Sequence, residues 1–344
     1  MVNITYLFGA GASANELPLI RGIKDELIAF KKKIIDVKEG FEHSEKFNET
    51  DQKIYIDTIS DLGWLISEVS NHATIDTFAK KLFLIDDIPN LKKLKGLIDL
   101  FFVYKQNFPK KVDNRYDTFL ATILKSEKGI NLSFPHNIKI ISWNYDNQFE
   151  LSANNFFKLD DDLSIQNRLN IIPGVSDFNK DNFGIIKLNG TAAGLIDFSE
   201  EFKSKNYFIL DGSNESNIFS LIKNYIIYKD SNYKSSILFA WENNQIQETV
   251  RNYAKKIISE TEILIIIGYS FPTFNRFVDK DILSNNNFKK IIIQSDNIET
   301  ATNAKFRLEN LLPNGNSNYN KNLRIDNIEI NTAKDEFLIP FEFN

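Results

Sequence analysis

The stretch Asn3–Leu19, "NITYLFGAGASANELPL", decides the fold. Ile4 to Phe8 run without regular apolar–polar alternation, as in a strand buried on both faces of a parallel sheet. The strand leads directly into Gly9-Ala10-Gly11-Ala12-Ser13. Gly9 permits a tight turn, Gly11 lets the backbone come close to a pyrophosphate, and Ser13 adds a hydroxyl. A helix N-terminus beyond such a turn offers free N–H groups and the positive end of its dipole to phosphates. Small residues at a crowded strand–helix turn also account for the same letters, and a bare Gly-x-Gly does not separate the two readings. Placement at the chain start, directly after an apolar strand, favours a nucleotide site. A standard dinucleotide fingerprint continues with a second strand that ends in an acidic residue about twenty positions on. Here the pattern turns helical instead, which disfavours an ordinary NAD-dependent dehydrogenase.

Apolar runs of strand length recur at 138–142, 170–172, 185–188, 207–210, 263–267 and 291–294. Between them lie helical patterns. "NQIQETVRNYAKKIIS" (Asn244 to Ser259) places Ile246, Val250, Tyr253, Ile257 and Ile258 on one face, and "IETATNAKFRLENLL" (Ile298 to Leu312) follows another strand. Alternating strands and helices indicate an α/β fold, with helices covering a mainly parallel sheet. Residues 19–130 read as a mainly helical insertion, carried by patterns such as "IDTFAKKLFLI" and "LKKLKGLIDLFFVY". Residues 298–344 read as a C-terminal helix and strand extension, in which Leu311 to Arg324 form an exposed, mobile polar loop.

The chain has no cysteine, which excludes disulfides, thiol catalysis and Cys-based zinc or iron–sulfur sites. Its three histidines, His43, His72 and His136, are far apart, so no metal is expected. The start "MVNITYLF" lacks the basic region and long apolar run of a signal peptide. No apolar stretch approaches the roughly 18 residues of a membrane span. A cytoplasmic protein with no membrane partner is expected. A net charge of −5 argues against a surface built for nucleic acid. The local runs Lys31-Lys32-Lys33, Lys92-Lys93-Lys95 and Lys110-Lys111 read as solvated helix faces or loops.

Polar residues gather at the ends of the apolar runs. "ISWNYDNQFE" (Ile141 to Glu150) places Asn144, Tyr145 and Asp146 where a strand ends. In an open α/β sheet the ligand lies beyond those ends. Asn144 and Asp146 suit ribose hydroxyls or a water, and equally suit a helix cap. "IIKLNGTAAG" (Ile185 to Gly194) ends its strand in Asn189-Gly190, with Thr191 following, which is a turn signal or the working end of a site. "EILIIIGYSF" ends in Gly268-Tyr269-Ser270, and "KKIIIQSDN" ends in Ser295-Asp296-Asn297. Strand ends of this kind, repeated along one chain, point to one crevice.

Taken in order, "GAGAS", "WNYD", a strand ending in a polar residue plus Gly, and "GYS" resemble the sirtuin-like superfamily, most closely its bacterial branch of NAD-consuming defence proteins. "HATIDTFAKKL" (His72 to Leu82) is similar to a segment between the first two motifs of that branch. The resemblance spans about Tyr6 to Asn297 as short motifs. It implies a Rossmann-like sheet with an inserted helical module and NAD+ bound as substrate between them. It implies that Asn144 positions the nicotinamide ribose and a water, with Asp146 beside it. Gly9, Ala10, Gly11, Ala12 and Ser13 would contact pyrophosphate and adenosine ribose. Tyr145, Gly190 and Thr191 would line the site, as would Gly268, Tyr269, Ser270 and Asp296 on the adenosine side. Sirtuin deacylases also carry a four-cysteine zinc ribbon. This chain has no cysteine, so NAD+ hydrolysis to nicotinamide and ADP-ribose is expected, rather than deacylation. The departure is Asn189, which stands where the family has a histidine that acts as base. An amide cannot take up a proton near neutral pH. Either Asp146 or a dissociative cleavage substitutes for that base, or the site binds NAD+ without rapid turnover. The resemblance further implies gating, by a homo-oligomer or by a partner such as a HerA-like ATPase or a short Argonaute, in antiphage defence through NAD+ depletion.

Overall fold

A computed structural model describes all residues except 20–21, 42–46, 128–130, 160–161, 176–177, 197–203, 207–214, 243, 313–327 and 344. The central sheet has seven strands: β1 (Ile4–Phe8), β2 (Ile138–Ser142), β3 (Ile171–Ile172), β4 (Gly184–Lys187), β5 (Ile263–Ile267), β6 (Lys290–Gln294) and β7 (Ile328–Asn331). All pairings are parallel, in the order β7-β6-β5-β1-β2-β4-β3. The fold is thus the Rossmann-like α/β sheet flanked by helices. β1 is central, with Leu7 opposite Ile266 of β5 on one side and Ile141 of β2 on the other. The chain proceeds from β1 toward β2, and later from β5 toward β6 on the other side. The order therefore reverses between β1 and β5, and a ligand crevice in such a sheet lies beyond the C-terminal ends there.

Isoleucine dominates the strands because β-branched side chains fill a pleated surface buried on both faces. Every residue of β1 and β5 is buried. At about 1.5–3 kcal/mol per fully buried large aliphatic side chain, these strands are a main source of the driving force. The helix Gln245–Glu260 is capped by Asn244, whose side chain accepts from the Gln247 N–H, and it buries Val250, Ala254, Ile257 and Ile258. The helix Ile298–Glu309 is capped likewise by Asn297 and buries Ala301, Ala304 and Leu308. The C-terminal helix and strand are thus part of the sheet architecture, with β7 at its edge.

The chain divides into two compact units. One comprises Met1–Asn15, Val112–Thr191 and Leu238–Asn344, and the other comprises Glu16–Lys111 and Ala192–Ile237. The second unit is largely helical, with helices Ile23–Phe41, Glu49–Asn71, Ile75–Leu84, Ile88–Asn107 and Glu215–Asp230. It differs from the expected 19–130 insertion in two respects. The helix Asn114–Ile123 belongs with the sheet, and a second stretch, 192–237, joins the helical unit. Gly96 explains how that stretch packs: a Cβ there would come within 2.7 Å of the Tyr228 ring. The Tyr225 hydroxyl then donates to Asp61 at 2.8 Å. Ala192 onward begins in a strand, Gly190–Ile196, of a separate three-stranded sheet. The expected strand 207–210 and most of the expected loop 311–324 lie outside the described residues. Among the described residues, no helix is long and apolar enough to cross a membrane.

Candidate functional site

The glycine turn is built against a second turn. After β1 the chain makes one 3-10 turn, Ala10–Ser13, rather than the start of a long helix. The Gly9 N–H donates to the carbonyl of Ile267 at 3.0 Å, and the Gly11 N–H donates to that of Gly268 at 3.0 Å. A Cβ on Gly9 would lie 2.6 Å from the Gly268 oxygen and the Tyr269 Cα, and one on Gly11 would lie 2.7 Å from the Gly268 Cα. Gly268 itself has φ +63°, a conformation that favours glycine. The three glycines let the loops after β1 and β5 cross in backbone contact at the switch point. Crowding thus accounts for both turn glycines, and Ala10 is the exposed residue of the turn. Three residues on, Phe271 is held at φ +51° and buried against Tyr269, a strained backbone for a bulky residue.

On the β2 side the polar residues converge. The Asn144 Nδ2 donates to the Gly9 carbonyl at 3.0 Å and lies 3.5 Å from the Ser13 Oγ. Among the described residues no donor reaches the Asn144 Oδ1, which leaves it open to a ligand. The Ser13 Oγ shares a hydrogen bond of 3.0 Å with the Tyr116 hydroxyl. Asp146 is buried and accepts from the Gln148 N–H at 3.1 Å. Burial raises its pKa above the ordinary carboxylate value, and Lys187, the Gln148 N–H and the Ser13 hydroxyl oppose the rise. Tyr116 is raised in turn, chiefly by burial and then by the Asp146 charge. Gly9, Ser13, Asn144, Asp146 and Tyr116 therefore form one group at the C-terminal edge of β1 and β2.

Two buried ion pairs brace this group. The Arg115 guanidinium holds Asp113, with Nε 2.9 Å from Oδ1, and donates to the carbonyls of Ala12 at 3.1 Å and Gly11 at 3.3 Å. Asp113 in turn accepts from the Asn15 amide at 3.3 Å. Lys187, at the end of β4, pairs with Glu150 and also donates to the Asp146 carbonyl at 2.6 Å, to the Asn147 Oδ1 at 3.2 Å and to the Thr191 Oγ1 at 3.2 Å. None of Lys187, Glu150, Asp113, Arg115 and Tyr116 stood out in the sequence. Lys187 and Glu150 stand 37 positions apart and Tyr116 meets Ser13 103 positions away, and although Asp113 and Arg115 are near neighbours the Gly11 and Ala12 carbonyls that Arg115 also holds are distant, so a lysine inside an apolar run is the one available signal.

Asn189 occupies the turn after β4, and its side chain is used at both ends. Its Nδ2 donates to the Trp143 carbonyl at 3.0 Å, and its Oδ1 accepts from the Ala240 N–H at 3.1 Å. Gly190 follows at φ +68°, so the Asn-Gly pair is a turn with a structural side chain. Thr191 is buried and donates to Asn147, and Tyr145 lies edge-on to Phe239. Tyr269 faces inward: its ring stacks on Trp143 at 5.5 Å and its hydroxyl donates to Asp279 at 2.9 Å. Burial drives the Asp279 pKa well above the ordinary value, against the pull of the Tyr269 hydroxyl. Ser270 and Asp296 are exposed at the ends of β5 and β6. Ser270 accepts from Arg307 through its carbonyl, and Asp296 bonds its neighbours Ser295 and Asn297. Among the described residues, no hydrogen bond ties either to the Ser13–Asn144 group. Among the described residues no cluster of His, Asp and Glu is placed to hold a metal ion.

Compared with protein-family models and with curated proteins, the chain matches none.

Proposed function

We propose that this protein hydrolyses NAD+ to nicotinamide and ADP-ribose, as its motif order in the sirtuin-like pattern suggests. The observation that carries the reading is the convergence of Gly9, Ser13, Asn144 and Asp146 beside the switch point, with an unclaimed Asn144 Oδ1 among them. In the proposed reaction the ribose–nicotinamide bond breaks with its electron pair going to the nicotinamide nitrogen. Water adds to the oxocarbenium carbon and loses a proton. Asn144 orients the ribose or the water, and the Asp146 carboxyl, in its ionised form, would support the developing positive charge. Asn189 remains a spectator whose amide holds two backbone groups. The exposed Ala10 and the Ser13 hydroxyl would meet the phosphate end. A cell cannot carry this activity unchecked, so the reading includes gating by self-association or by a HerA-like ATPase or short Argonaute partner, in antiphage defence.

A second reading is favoured by Asn189 itself. With no base at that position and its amide fully engaged, the protein binds NAD+ or ADP-ribose as a regulatory subunit and turns it over slowly. Loss of a general base typically lowers a rate by about 10²–10⁴-fold. Purified protein, alone and with candidate partners, is incubated with NAD+ while nicotinamide release is followed. Release that disappears in Asn144→Ala supports hydrolysis. Absence of release under every condition, with NAD+ binding retained and release gained in Asn189→His, replaces it with the regulatory reading.

A further inference from the structure

The opposite, N-terminal edge of the sheet carries a second concentration of titratable groups. A cleft of about 300 Å³ lies there, and its walls include His136, Lys139, Lys180, Asp181, Glu260 and Thr261. Lys139 is the second residue of β2, set between Thr5 of β1 and Gly184 of β4. Its partly buried ammonium donates to the carbonyl of His136. The two carboxylates of the cleft are taken by Lys180, which reaches Glu260 at 3.4 Å and Asp181 at 3.6 Å. Among the described residues, none holds Lys139 in an ion pair of its own. A lysine that gives up part of its hydration for one neutral carbonyl loses its proton readily. Burial, against the opposing pull of Asp181 and Glu260 and with a small contribution from Lys180, brings the Lys139 pKa down to about 8. At pH 7 about a tenth of such an amine is neutral, against fewer than one in a thousand for an ordinary lysine.

We propose that Lys139 is a nucleophilic lysine that forms an imine with a small polar aldehyde held in this cleft. The neutral Nζ adds its lone pair to the carbonyl carbon while the π pair moves to oxygen. The carbinolamine then loses that oxygen as water, taking up the protons released by nitrogen, and a C=N bond remains. No oxidant or second reactant is consumed. The site lies at the sheet edge away from the Ser13–Asn144 group, so it does not depend on how that group reads NAD+.

The test uses the whole protein with glycolaldehyde and cyanoborohydride at pH 7, with the modified lysines quantified by peptide mass mapping. Lys139 is expected to react about tenfold faster than the exposed helix residue Lys32. Its rate saturates as glycolaldehyde rises, and its advantage shrinks toward pH 10. Replacement Lys139→Arg leaves the rates at the other lysines unchanged, which verifies that the fold is retained. A rate at Lys139 no greater than at Lys32, or one that stays linear in aldehyde, overturns the proposal.

Discussion

Lys187 is an ammonium inside a strand of otherwise apolar or glycine residues, 3% exposed, and every one of its bonds goes to an oxygen of the candidate site. Removing one partner of such a pair is costly because the other charge stays buried. Lys187→Met is expected to lose about 3–5 kcal/mol in urea unfolding, and Lys187→Met with Glu150→Gln to recover part of that. A double variant no more stable than the single one would show that the pair is not the reason. Asp279 gives a pH dependence. Its folded pKa lies above the ordinary value, so the native state binds the extra proton. Stability is then full below about pH 4 and falls as pH rises toward the folded pKa, by up to about 1.4 kcal/mol per pH unit. Asp279→Asn should flatten the fall in urea stability as the pH rises above about 4. An unchanged slope would assign the titration to another group. Ser13, Asn144 and Asp146 were legible as candidates because they stand at the ends of apolar runs. Arg115 and Lys187 were not, since a charge declares its burial only once its partner is known.

At the scale of elements, the crossing of the loops after β1 and β5 is the tightest joint of the sheet. A Cβ on Gly268 would fall 2.4 Å from the Gly11 backbone, on a residue already at φ +63°. Gly268→Ala is expected to destabilise by roughly 2–4 kcal/mol, through both strain and displacement. Gly40 is the contrast, exposed in the helix Ile23–Phe41 with nothing within 4 Å of a Cβ. Gly40→Ala should gain about 0.5–1 kcal/mol. Thermal melts of the two variants moving in the same direction would contradict this account. Six strands of the seven-stranded sheet, β1 to β6, coincide with apolar runs of the sequence, because strands covered on both faces leave an uninterrupted signature, whereas the edge strand β7, Ile-Glu-Ile-Asn with only Ile328 buried, leaves none. The helical unit was only half legible. Its second stretch, 192–237, is placed by packing such as that of Tyr228 on Gly96, and a close approach of two helices has no local signature.

For the whole molecule, the sheet unit is assembled from three separate stretches of chain, and the two neighbours of β1 come from different ones. A chain stopped at residue 237 keeps β2, β3 and β4 but loses β5, β6 and β7, leaving one edge of β1 unpaired and its apolar face open. Such a fragment is expected in the insoluble fraction on expression, and a soluble, cooperatively melting fragment would refute that dependence. The same arrangement bears on time. Gly11 leaves the ribosome 257 residues ahead of Gly268, since 268 − 11 = 257, and Phe337, which packs on Phe8 and Tyr116, follows later still. At about 5–20 residues per second that interval is roughly 13–50 s. Throughout it the nascent chain carries "GAGAS" with no second loop to hold it. Interrupted synthesis therefore yields no assembled turn, and whatever this site does begins only on chains carried past residue 268.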